Sequence, residues 1–146
     1  VFDTKFHNVD ALVNNVKPDV LQFDELNAFS GVLQNSVDTS DTLKKYALNL
    51  WKATKAPLDY GVKVSGVDMN RLVLSGASPR GMSMMLRAAR VNAWLNERTA
   101  VLPEDIHAVF HATVAHRLVF SPVYEMRRTE IAREMLNGIM NAVAAP

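Results

Sequence analysis

Cysteine is absent from this 146-residue chain, which excludes disulfide scaffolds and thiol catalysis and takes the usual ligands from zinc-finger arrangements. Glycine is sparse at six residues, and no Gly-x-x-x-x-Gly-Lys-Ser/Thr loop or Gly-x-Gly-x-x-Gly turn occurs. A self-contained phosphate cradle is therefore missing. No Gly-x-Ser-x-Gly elbow is present, which argues against Ser78 or Ser83 as a nucleophile. Neither sign of charge dominates: the net charge is +1, with no general electrostatic case for a nucleic-acid or membrane partner. No apolar run approaches the roughly 20 residues that span a bilayer, and no signal-peptide pattern opens the chain. The expected location is cytoplasmic. The first residue is Val1 rather than Met, as expected of a piece of a longer protein.

What is there is an ordinary globular composition, 49% apolar and 21% charged, with helical periodicity throughout. Phe6, Val9, Leu12, Val13 and Val16 form one stripe, ended by Lys17-Pro18. Leu26, Phe29, Val32 and Leu33 form a second, begun by Asp24-Glu25. A third helix has candidate caps at Asp38, Thr39 and Ser40. Its Leu43, Tyr46, Ala47, Leu50 and Thr54 share a face, and Lys52 and Lys55 lie at its electronegative end. Residues 56–75 break the pattern with Pro57, Gly61 and Gly66. They read as a long loop whose Val62-Lys63-Val64 and Leu72-Val73-Leu74 are candidates to pair as two short strands. Further helices carry Met82, Met85, Leu86, Ala89 and Ala93; then Ile106, Val109, Phe110, Thr113 and Leu118, running to Ser121-Pro122; then Ile131, Met135, Leu136, Ile139, Met140 and Val143. The fold class is mainly α, a small helical bundle.

The run Ser75-Gly76-Ala77-Ser78-Pro79-Arg80-Gly81 carries the most chemistry. Ser78 suits an N-cap and Pro79 the first helical position, so a helix should begin at Pro79 with Arg80 in its first turn. A cation is mildly disfavoured there by the helix dipole, unless an anion visits the free N–H groups beside it. The alternative is an ion pair between Arg80 and a nearby carboxylate. His107 and His111 have the four-residue spacing of a shared metal, but Ala108 stands where a zincin motif needs glutamate and no third ligand is signalled; no metal site is expected. His116-Arg117 suits the end of its helix, as a cap or as a functional pair. Arg87, Arg90 and Arg98 give either a basic face or a solvated helix surface.

Gly76-Ala77-Ser78-Pro79-Arg80, then Val101-Leu102-Pro103-Glu104-Asp105-Ile106, then His116-Arg117-Leu118, resemble in order and spacing the C-terminal lid domain of MoxR-type AAA+ ATPases. The resemblance covers residues 20–146 and makes 21–146 the lid, with 1–20 a linker or the end of a preceding ATPase domain. It implies that Arg80 is the sensor-2 residue, counted as catalytic. Gly76, Ser78, Pro79 and Arg80 would form the nucleotide-facing segment, with ATP and Mg held mainly by an upstream P-loop domain. It further implies a homo-hexameric ring with contacts to the upstream core and neighbouring subunits, chaperone-like remodelling, and partners bearing von Willebrand factor A domains. Walker A and B motifs are absent from these residues, so no ATP hydrolysis or nucleotide binding is expected of them alone. Leu102 replaces the family's threonine cap, a loss of about 1 kcal/mol at that helix start, and Lys55 replaces an arginine. Loop 56–75 is longer than the family's. Two other readings stay open: a free-standing helical interaction module, and a DNA-binding domain using Arg87, Arg90 and Arg98.

Overall fold

A computed structural model describes residues 9–16 and 22–146. Phe6, Lys17-Pro18 and the expected boundary at residues 20 and 21 lie outside them. The chain divides into two compact units, residues 1–32 and 33–146. In the first, α1 spans Val9–Asn14, and α2 begins at Glu25 and continues to Ser36. Leu26, Phe29 and Val32 stay exposed along α2, while Leu33, in the second unit, is buried.

The second unit is mainly helical and holds the core. Helix α3 (Asp41–Lys55) starts where Ser40 accepts a hydrogen bond from the Leu43 N–H, so Ser40 is the cap among the three candidates. The expected stripe of Leu43, Tyr46, Ala47, Leu50 and Thr54 is buried throughout. Helix α4 (Met69–Leu72) leads into strand β1 (Val73–Ser75), and helix α5 (Pro79–Leu95) follows. Helix α6 (Pro103–Val114), strand β2 (Val119–Phe120) and helix α7 (Arg128–Ala142) complete the unit. Phe110, Met135, Leu136 and Ile139 close the centre of the core with no solvent exposure.

Two expectations change. Residues 56–75 are not a loop pairing two strands of its own: a 3₁₀ turn (Pro57–Tyr60), α4 and β1 occupy it. Strand β1 pairs antiparallel with β2 instead, Val73 opposite Phe120 and Ser75 opposite Val119. Val62 and Val64 do alternate inward, but they are buried in the core. Gly138 of α7 makes the room, since a Cβ there would lie 2.8 Å from the Val62 side chain. The second change is at α6, which ends at Val114 rather than running to Ser121. Ala115–Arg117 form a 3₁₀ turn, which drops Leu118 into the core and frees residues 119–120 to meet β1.

Helices α5 and α6 make the most extensive helix–helix contact among the described residues. Their connection is a tight reversal: Arg98 N–H reaches Ala93 O and Glu97 N–H reaches Trp94 O, a Schellman arrangement with Glu97 left-handed at φ 58°. Asp105, fully buried, then binds three donors: Leu102 N–H at 2.9 Å, Asn92 Nδ2 at 2.8 Å and Arg98 Nη2 at 2.5 Å. The bond to Leu102 is half of a capping box. Leucine has no oxygen to supply the other half. Asp105→Ala should therefore lower unfolding stability by about 2–3 kcal/mol, the scale of lost hydrogen bonds to a buried charge. Leu102→Thr should raise it by about 1 kcal/mol by restoring the missing acceptor. Both are read from urea midpoints at unchanged m-value.

Candidate functional site

The site is built where the end of α3 meets the start of α5. Gly76 is buried against α3: a Cβ at that position would lie 2.6 Å from Lys55 Cγ and 2.8 Å from both Lys55 Cα and Thr54 O. Backbone therefore touches backbone, and glycine is required by space. Ala77, also buried, is tied at both its polar groups. Its N–H donates to Thr54 Oγ1 at 3.2 Å, and its carbonyl accepts from Trp51 Nε1 at 2.6 Å. The Thr54 hydroxyl in turn donates to Trp51 O at 2.7 Å. The Lys55 ammonium sits 4.0 Å from the centroid of the Trp51 ring, a cation–π contact over the same indole.

Ser78 then caps α5, its hydroxyl accepting from the Gly81 N–H at 3.3 Å, and Pro79 occupies the first helical position. Arg80 follows, exposed, and among the described residues no hydrogen bond or ion pair engages it. The expected alternative, a local carboxylate partner, is not realised there. Gly81 is buried on the far side of the turn, and a Cβ on it would lie 2.9 Å from Arg117 Cδ. Arg80 thus follows Ala77, whose two polar groups are both tied to α3, and precedes Gly81, beside which the Arg117 stem lies.

Two of the three sequence motifs come together and the third lies apart. Arg117 joins the Arg80 site: its guanidinium donates to Thr113 O at 2.7 Å, contacts His116, and lays its stem on Gly81. Asp105 is held at the opposite end of α5, about 25 Å away for a 17-residue helix. It positions α5 rather than touching Arg80. His107 and His111 bond different side chains. His107 Nε2 bonds the Tyr46 hydroxyl at 2.5 Å, a phenol whose pKa burial pushes up, and His111 Nε2 bonds Asn137 Oδ1 at 3.0 Å. No group of three metal-binding side chains occurs among the described residues. Of the basic face, Arg98 pairs with Asp105 and Arg90 bonds Thr39 Oγ1 and Gln34 Oε1, leaving Arg87 without those structural duties.

Sequence reading missed Trp51. Its indole N–H finds a carbonyl 26 positions away, which no local pattern announces. Gly76→Ala should lower stability by about 1–3 kcal/mol, because the added methyl meets the α3 main chain at Thr54 and Lys55. Thermal unfolding checks this, with Gly31→Ala, where no atom lies within 4 Å of the added Cβ, as the control expected to lose nothing.

Comparison with known proteins agrees with this architecture. Residues 69–136 match the AAA lid domain family. The chain is 40% identical over all 146 residues to Protein MoxR of Methylorubrum extorquens and 36% identical over 145 residues to Protein MoxR of Paracoccus denitrificans. It is 31% identical over 129 residues to Chaperone MoxR1 of Mycobacterium tuberculosis. It spans 43% of the length of each of the first two. A crystal structure from Cytophaga hutchinsonii, assigned as an ATPase, superposes with a TM-score of 0.69 at 30% identity, over 79% of this chain and 33% of that one. The chain belongs to the MoxR-type AAA+ ATPases and carries their C-terminal lid domain.

Proposed function

We propose that this lid closes over ATP bound by an upstream P-loop domain and presents Arg80 to the γ-phosphate. The observation that carries the reading is the state of Arg80: an exposed cation in the first turn of a 17-residue helix, without a protein partner among the described residues. That position is electrostatically unfavourable for an arginine by about 0.3–1 kcal/mol, and a phosphate arriving there would reverse the sign. The neighbouring cofactor-facing residues divide the labour. Gly76 permits the close approach to α3, Ser78 and Pro79 start the helix, and Arg80 is the one cation of the four.

ATP and Mg belong in this reading to the upstream domain, which supplies the Walker residues and the hydrolytic chemistry. The lid's contribution is a guanidinium that stabilises charge on the transferring phosphoryl group and makes closure favourable only while that phosphate is present. Closure and release of the rigid lid would then pass nucleotide state to neighbouring subunits of a homo-hexamer in the cytoplasm. The remodelling of partner proteins, including those with von Willebrand factor A domains, would be driven from there. The name Chaperone MoxR1, borne by a relative, supports the remodelling role. In the full-length protein, Arg80→Ala should reduce ATP turnover by about 10²-fold, the scale of one lost charge-stabilising donor. It should also abolish nucleotide-dependent assembly. Unaltered turnover and assembly would rule out the mechanism, and steady-state phosphate release with light scattering reads both.

A further inference from the structure

We infer that Trp51 and Thr54 are positioning residues for Arg80, a role that rests on the reading of Arg80 as the nucleotide sensor. Neither residue belongs to the motif that carries Arg80, and both lie on a different helix. The geometry is a closed ring of three hydrogen bonds. Ala77 N–H donates to Thr54 Oγ1, Thr54 Oγ1–H donates to Trp51 O, and Trp51 Nε1–H donates back to Ala77 O. Because one hydroxyl both accepts from Ala77 and donates to Trp51, its orientation is fixed by the pair it joins. Ala77 therefore cannot rotate its peptide groups without breaking a bond to α3, and Thr54 is itself fully buried.

Ala77 lies one residue before the α5 cap and three before Arg80. Beyond Arg80, the Arg117 stem lies beside Gly81. The entry to α5 is thus tied to α3 just before an otherwise free arginine. Since the upstream clamp is made to α3, Arg80 and α3 move as one body. Displacing a charge-stabilising group by about 1 Å costs turnover even when binding is kept, because alignment matters most at the transition state. The Lys55 ammonium packs over the same Trp51 ring whose N–H makes this bond.

The test uses the full-length ATPase carrying Trp51→Phe, which keeps a ring beneath Lys55 but has no N–H, together with Thr54→Ser and Thr54→Val. Trp51→Phe and Thr54→Val should lower kcat on the order of 10-fold with KM for ATP changed by less than about 2-fold, while Thr54→Ser stays near wild type. In an Arg80→Ala background, Trp51→Phe should cause no further loss, because there is no guanidinium left to misplace. Amide exchange at Ala77 and Gly81 should speed up in Trp51→Phe while protection in α6 and α7 is kept. Wild-type kcat in Trp51→Phe, an undiminished loss on top of Arg80→Ala, or a general rise in exchange across α6 and α7 would each overturn the proposal. Full turnover in Arg80→Ala alone is a separate result: it removes the sensor reading itself, and this role with it.

Discussion

The Asp105 carboxylate has no exposure to solvent, so its charge must be met wholly by protein donors, and each comes from a different part of the α5–α6 hairpin. Asn92 belongs to the last turns of α5, Arg98 to the reversal and Leu102 to the approach to α6. A charge left unpaired in such a place costs several kcal/mol, which is why geometry around it is tightly specified. The same reversal is fastened to the segment before α3: Asp38 N–H donates to Thr99 O and Val101 N–H to Asp38 O. The far end of α5 is thus fixed relative to α3 by bonds independent of those at its start.

Two fixed ends make α5 a rod rather than a spring. One end carries the buried carboxylate network, the other the Ala77 and Gly81 anchors, with apolar packing of Met85, Ala89 and Ala93 between them. An α-helix packed along its length transmits displacement with little internal give. In the proposed reading, a displacement of Arg80 would be carried along α5 to the reversal about 25 Å away and into α3, to which both ends are bonded. That is the mechanical property a lid requires if it is to report a phosphate to another subunit. It follows from hydrogen bonds and close contacts rather than from the length of the helix alone.

Much of this was legible from local patterns, because local patterns are what fix helices. Ser78 announced one helix start and Asp38-Thr39-Ser40 a second without choosing among the three, the three- and four-residue spacing in α3 named its buried face, and Arg80 stood out against the dipole. What failed was non-local. Val73 of β1 pairs with Phe120, 47 positions on, and alternating valines at 62 and 64 carry the same period whether they pair with a strand or pack on a helix. The end of α6 was equally hidden, since His116-Arg117 suits a 3₁₀ turn as well as an α-helix. Trp51 was invisible for the same reason: on sequence it is one more aromatic on a helix, and only the fold brings a carbonyl to its N–H.

The contrast between Arg98 and Arg80 separates stability from function in this molecule. Both are arginines at the ends of α5. Arg98 meets a buried carboxylate and holds the reversal, so removing it would leave Asp105 short of a donor. Arg80 contributes nothing of that kind among the described residues: it has no side-chain partner there, its charge opposes the dipole, and Ala77 before it is tied to α3 without its help. An exposed side chain that the described residues leave without a partner is open to a partner from outside. In the proposed reading that partner is the anion which a helix N-terminus beside a cation suits.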